Sequence, residues 1–180
     1  MENQTPIADR KVTSLASYFE PVRKSITVSC SPERAFSIFT DGFSRWWPLP
    51  THSLSQARAI SCGIDPSVGG QVYEVRDDGE RIAWGWVLEW EPPRRFVMAW
   101  HPGSTPEQAQ EVELRFTPVP DGTKVDLEHR KWEKLGEGAS AAREGYNAGW
   151  ETVFVVVFAR ACAEQNRRRH GGTEANGNVG

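Results

Sequence analysis

The feature that most limits the folds open to this chain is a change of hydrophobic period. From about residue 57 to residue 130 apolar and polar side chains alternate with a period of two, and from Ser140 the period becomes helical. The alternating part divides into candidate strands at 57–64, 70–76, 81–91, 95–101, 110–118 and 123–130. Asp77-Asp78-Gly79 and Asp121-Gly122 are turn sequences, and Pro92-Pro93 interrupts the chain between two strands, so consecutive antiparallel neighbours are the economical topology. The last strand shows the alternation best. Val125, Leu127 and His129 point one way, and Lys124, Asp126, Glu128 and Arg130 the other. A sheet with one apolar face needs a cover. Tyr146, Trp150, Val153, Phe154, Val157 and Ala161 supply it, because their spacing draws an apolar stripe along one long helix.

Ahead of the sheet, Val22 to Cys30 alternates as one more strand. Ser31-Pro32-Glu33 then sets an N-cap serine before a proline at the first helical position. That helix carries Ala35, Phe36, Ile38 and Phe39 and breaks near Asp41-Gly42. A second short helix carries Phe43, Trp46 and Trp47 and ends before Pro48 and Pro50. The order predicts an α+β domain of seven strands, with two short helices after the first strand and a curved antiparallel sheet wrapped around a long C-terminal helix. The expected boundaries are a flexible tail over 1–17, the domain over 18–165 and a disordered tail over 166–180 that includes Arg167-Arg168-Arg169.

A formal charge of -3 gives no basic footprint for nucleic acid or for an anionic membrane. No apolar run approaches the ~20 residues of a membrane span, and Met1 to Ser17 lacks the apolar stretch of a signal peptide, so the chain reads as cytoplasmic. Cys30, Cys62 and Cys162 are odd in number and lack metal or redox spacing, which points to structural thiols. The four histidines show no ligand spacing either, and neither a metal nor a cofactor is expected.

Several stretches resemble one family: Ser31-Pro32-Glu33-Arg34-Ala35-Phe36, Trp46-Trp47-Pro48, Gly69-Gly70-Gln71-Val72-Tyr73-Glu74, and Gly85-Trp86-Val87 leading through Trp90-Glu91-Pro92-Pro93 to Trp100-His101. Leu127-Glu128-His129 before Trp132, and Gly145-Tyr146 with Gly149-Trp150, extend the match over about residues 20 to 163. Together these are similar to bacterial proteins related to the C-terminal domain of the activator of the Hsp90 ATPase, a branch of the START/Bet v 1-like superfamily. The resemblance implies a helix-grip fold with an apolar cavity between sheet and helix, and no shared catalytic residue.

Within such a fold the eight tryptophans are the strongest functional signal. Trp84, Trp86 and Trp90 are expected on one strand face with Leu88, and Trp84 and Trp86 join Trp46, Trp47, Trp100, Tyr146, Trp150 and Phe154 as candidate walls of the cavity, against the alternative that the rings fill a closed core. Gly145 and Gly149 lie four apart in the last helix, where each costs about 1 kcal/mol relative to alanine, so a close approach by a ligand or a strand backbone is expected there. His101, His129 and Tyr146 are the candidate proton-moving groups. Glu111 with Glu113, and Asp126 with Glu128, read as an outward charge ladder with Arg115, Lys124 and Arg130. The leading expectation is a binder of a small hydrophobic, aromatic or polyketide-like molecule. The alternatives are a cyclase, aromatase or dehydratase on such a substrate; an enediyne self-resistance protein that sacrifices backbone at a cavity glycine, with Gly103 the position to watch; and an Hsp90-related co-chaperone.

Overall fold

The computed structural model describes residues 19–170 of the 180-residue chain. The sheet has seven antiparallel strands: β1 (Val22–Val28), β2 (Ala59–Ile64), β3 (Gln71–Arg76), β4 (Arg81–Glu91), β5 (Arg95–Trp100), β6 (Gln110–Val119) and β7 (Gly122–Arg130). Their order across the sheet is β1-β7-β6-β5-β4-β3-β2. Two short helices, α1 (Pro32–Phe39) and α2 (Phe43–Trp46), link β1 to β2. Ser31 caps α1 as its sequence requires, its hydroxyl accepting from the Arg34 N–H. After a short 3-10 stretch (Trp132–Gly138), the terminal helix α3 runs through Ala139–Trp150, Glu151–Phe158 and Ala159–His170. The fold is the helix-grip arrangement expected from the order of elements. Residues 1–17 and 171–180 of the expected tails lie outside the described residues, whereas α3 continues past residue 165 to His170.

Two departures from simple periodicity shape the interior. The middle segment of α3 is a π-helix, Glu151–Phe158, whose wider turn adds residues to each revolution. The buried stripe therefore passes through Trp150, Phe154, Phe158 and Cys162 rather than through Val157 and Ala161, which are only half-buried. In β4, register shifts against β3 between Val72 and Tyr73, and against β5 between Val87 and Glu89, break the alternation twice. Trp84, Val87 and Trp90 accordingly belong to the core at a spacing of three. Trp86 pairs with Ala99, which alternates with the inward Trp100, and its ring meets His101 at 5.5 Å on the opposite face. The expected common face for Trp84, Trp86 and Trp90 is thus corrected by the bulges. Gly85 belongs to this irregularity: a Cβ there would lie 1.8 Å from the Ala99 carbonyl oxygen.

On that outer face the charge ladder forms as expected. Arg95 and Arg130 both bind Glu113, at 2.7 and 2.5 Å, and Arg130 also reaches Glu111 and Glu128. The carboxyl of Glu113 is nearly buried under these guanidinium groups, which offset the cost of its burial and hold it below the usual carboxylate range. The thiols carry no disulfide. Burial pushes Cys62 up to about 12, so it remains a thiol.

Candidate functional site

Aromatic rings run the length of the space between sheet and helix, and at one end they leave a hollow. The cavity measures about 240 Å³ and is lined by Trp47, Trp84, Trp100, Tyr146, Trp150 and Val153, with His52, Ser53, Leu54, Pro102 and Gly149 completing it. Its floor is the inner face of β4 and β5, one wall is the first half of α3, and the other is the loop after α2.

Four indoles are fixed here by their N–H groups. The Trp47 Nε1–H donates to the His52 carbonyl at 2.7 Å, and that of Trp84 to Glu74 Oε2 at 2.9 Å. The Trp100 Nε1–H donates to the Tyr146 hydroxyl oxygen, and the Trp150 Nε1–H to His129 Nδ1, both at 3.1 Å. A buried indole N–H needs an acceptor, and a bond with directional preference fixes the ring plane as packing alone does not. The rings therefore stand as walls, with neighbouring centroids 5.4 Å apart for Trp47 and Trp84 and 6.1 Å for Trp100 and Trp150.

Glu74 is the hub of the loop wall. Its side chain is fully buried, yet its carboxylate accepts from the Leu54 and Ser55 backbone N–H groups at 2.7 Å each as well as from Trp84. Three donors to one carboxylate tie the 52–55 loop to the cavity floor. Glu74 falls within a stretch that carries the family resemblance, but its partners lie ten to twenty residues away, and nothing in the period of β3 reveals them.

Of the predicted residues, the structure brings Trp47, Trp84, Trp100, Tyr146 and Trp150 around one space. Trp46 and Phe154 pack in the closed core, Trp46 donating to the Phe39 carbonyl. Trp86 and His101 meet each other away from the cavity, and His101 Nδ1 lies 3.2 Å from the Ser104 carbonyl. Gly103, with φ of 75°, is exposed at the rim beside Leu54. Gly145 and Gly149 have no close neighbour: a Cβ at either meets nothing within 4 Å. The expected backbone approach is therefore absent, and Gly149 instead leaves space on the cavity wall.

His129 lies beneath this wall, fully buried, with its ring 4.7 Å from Tyr146 and 4.1 Å from Trp132. Desolvation holds its pKa down to about 3, and the Trp150 bond occupies Nδ1, so it is neutral and serves as an acceptor. Sequence reasoning missed His52. It lines the cavity from the loop, half-buried, and partial burial lowers its pKa from the ordinary value. Burial acts on Tyr146 in the opposite sense, raising the phenol despite the Trp100 N–H that favours its anion. Among the described residues no cluster of three or more His, Cys, Asp or Glu side chains suits a metal ion, and no helix is long and apolar enough to cross a membrane.

The family model described as activator of Hsp90 ATPase homolog 1-like protein matches residues 29–158. A comparison with curated proteins finds no match. Among solved structures, an anthrahydroquino-γ-pyrone synthase, Txn09, is 33% identical over 78% of this chain and 96% of its own, with a TM-score of 0.56. The self-sacrificing resistance protein CalC from Micromonospora echinospora is 24% identical over 84% and 97% of the two chains, at a TM-score of 0.57. Protein NE0264 from Nitrosomonas europaea, 14% identical with a TM-score of 0.59 over 89% of this chain and 99% of its own, shares the fold.

Proposed function

We propose that this chain, which belongs to the activator of Hsp90 ATPase homolog 1-like family, takes a compact, planar aromatic molecule of polyketide type into the cavity between β4, β5, the 52–55 loop and α3. The observation that carries this reading is the hollow itself: an enclosure of pinned indoles, with one phenol and one imidazole as its titratable groups. Indole faces suit a flat conjugated ring, and isolated polar groups in an apolar lining orient a ligand. At about 240 Å³ the space is smaller than the ~300–1,000 Å³ of drug-sized sites, which favours a fused-ring ligand over a long chain.

Danthron, a dihydroxyanthraquinone, is a suitable probe. Titration into the protein is expected to quench tryptophan emission saturably at one equivalent, with Trp150→Phe weakening the binding because the His129 bond no longer fixes that ring. Quenching that rises linearly without saturation sinks the reading.

A second reading, ring closure on the bound molecule, is favoured by the 33% identity to a protein described as a pyrone synthase. In this reading the cavity folds a flexible oxygenated side arm back onto its aromatic ring, and most of the rate comes from holding that reactive conformer. CalC, at 24% identity, shares the fold, and Gly103 is exposed and not among the residues that line the cavity.

A further inference from the structure

We propose that His52 and Tyr146 form an acid–base pair across the cavity, His52 Nε2 taking the proton from an aryl hydroxyl of the ligand while the Tyr146 hydroxyl protonates the carbonyl oxygen that this hydroxyl attacks. The inference rests on the ring-closure reading and assigns residues to it.

Among the described residues that line the cavity, His52 and Tyr146 alone have side chains that exchange protons in water's accessible range; the others are Trp47, Ser53, Leu54, Trp84, Trp100, Pro102, Gly149, Trp150 and Val153. Glu74 and His129 lie behind the wall with their cavity-side atoms bonded to indoles. His101 faces Trp86 on the other side of the sheet.

Local hydrogen bonds are compatible with these roles. With the Thr51 hydroxyl proton on the Pro48 carbonyl at 3.2 Å, the hydroxyl oxygen accepts from His52 Nδ1 at 2.9 Å, and in that tautomer Nε2 is the basic nitrogen the proposal uses. The Trp47 bond to the His52 carbonyl holds that residue's backbone in place. On the other wall, the Tyr146 oxygen accepts from Trp100, so its own proton has no partner among the described residues and is directed away from that indole. The same indole N–H stabilises the phenolate that remains after donation. Partial burial keeps His52 unprotonated and Tyr146 protonated near neutral pH, the starting states that a base and an acid need.

An ortho-hydroxyaryl diketone satisfies this arrangement. As the aryl oxygen bonds to the distal carbonyl carbon, its proton passes to His52 Nε2 and the carbonyl oxygen takes the Tyr146 proton, giving a cyclic hemiketal. The imidazolium then returns its proton to the departing hydroxyl, which leaves as water, and the tyrosinate removes a proton from the carbon between the two carbonyl positions. A γ-pyrone ring and one water result, both residues regain their starting states, and no oxidant or reductant is consumed.

ortho-Hydroxybenzoylacetone, which closes to methylchromone with a change in ultraviolet absorbance, is the substrate probe, and danthron reports binding. The wild-type protein is expected to accelerate closure. His52→Gln and Tyr146→Phe are each expected to lower kcat by about a hundredfold or more, while danthron binding stays saturable, weakened in Tyr146→Phe because the Trp100 N–H loses its acceptor. Unchanged turnover in both variants overturns the assignment, and should Tyr146→Phe fold poorly, His52→Gln alone decides. Saturable danthron binding with no closure by the wild type overturns the acid–base pair and leaves the binding reading standing; no binding of either compound overturns both.

Discussion

The two ends of the interior are built from the same kind of side chain and differ in whether space is left between them. At the closed end Phe36, Phe39, Trp46, Phe96, Phe116 and Phe158 meet mainly edge-to-face, Phe39 lying 4.9 Å from Trp46 and 5.0 Å from Phe158. The five phenylalanines have no polar handle and turn until they fill the volume around Trp46, which is tied to the Phe39 carbonyl. At the hollow end the indole N–H groups of Trp47, Trp84, Trp100 and Trp150 are each bonded to a fixed acceptor: Glu74 and His129 behind the wall, the Tyr146 hydroxyl and the His52 carbonyl within it. Phenylalanine packing thus closes one end, while at the other four indoles held in fixed planes around one space keep a cavity open.

The two ends should respond differently to substitution. Phe39→Ala at the closed end removes a ring from a region with no slack and is expected to cost about 3–5 kcal/mol in chemical denaturation. A loss below about 1 kcal/mol would show that end to be loosely packed.

Acid acts on the hollow end through His129, whose folded pKa is held near 3 against an unfolded value of 6.5. The unfolded chain binds a proton that the folded chain refuses, so this residue's contribution is complete above about 6.5 and is lost progressively as pH falls toward 3. The expected loss from this group is about 2 kcal/mol by pH 5. His129→Asn retains an acceptor for Trp150 and should flatten that part of the profile; equal slopes in variant and wild type would contradict the assignment.

Glu74→Gln replaces an acceptor of three N–H groups with an amide that itself carries donors. A stability loss of about 1–3 kcal/mol is expected, together with weaker danthron binding as the 52–55 loop and Trp84 lose their common tie. Full affinity in a destabilised variant would reduce Glu74 to a support of the fold. The smallest effect on stability is expected at Gly149, where alanine meets no neighbour and should gain up to about 1 kcal/mol from helix propensity.

Much of the frame was legible because it rests on short-range pattern. The strand periods, the turn at Asp121-Gly122, the Ser31 cap and the inward aim of His129 all follow from neighbours in sequence. Features that add or remove one residue from a pattern were not legible. The π-helix moved the buried stripe from Val157 to Phe158, and the β4 bulges turned Trp86 away while retaining Trp84 and Trp90. His52 was illegible for another reason: it lies in a loop without periodicity, and it reaches Thr51, Trp47 and the cavity that Tyr146 also lines only once the chain has folded. Tryptophans could be counted in the sequence, but which N–H met which acceptor is a tertiary fact.

The most direct test of the hollow-end account is a pair of danthron titrations followed by tryptophan fluorescence. One uses Gly149→Leu, which grows a side chain into the cavity, and the other Phe39→Leu, a modest change in the closed end expected to cost less than about 1.5 kcal/mol. Binding is expected to be abolished or weakened at least tenfold by Gly149→Leu and left near wild type by Phe39→Leu, with both variants folded. Equal binding by wild type and Gly149→Leu would contradict it, since the ligand would then lie elsewhere than between these indoles.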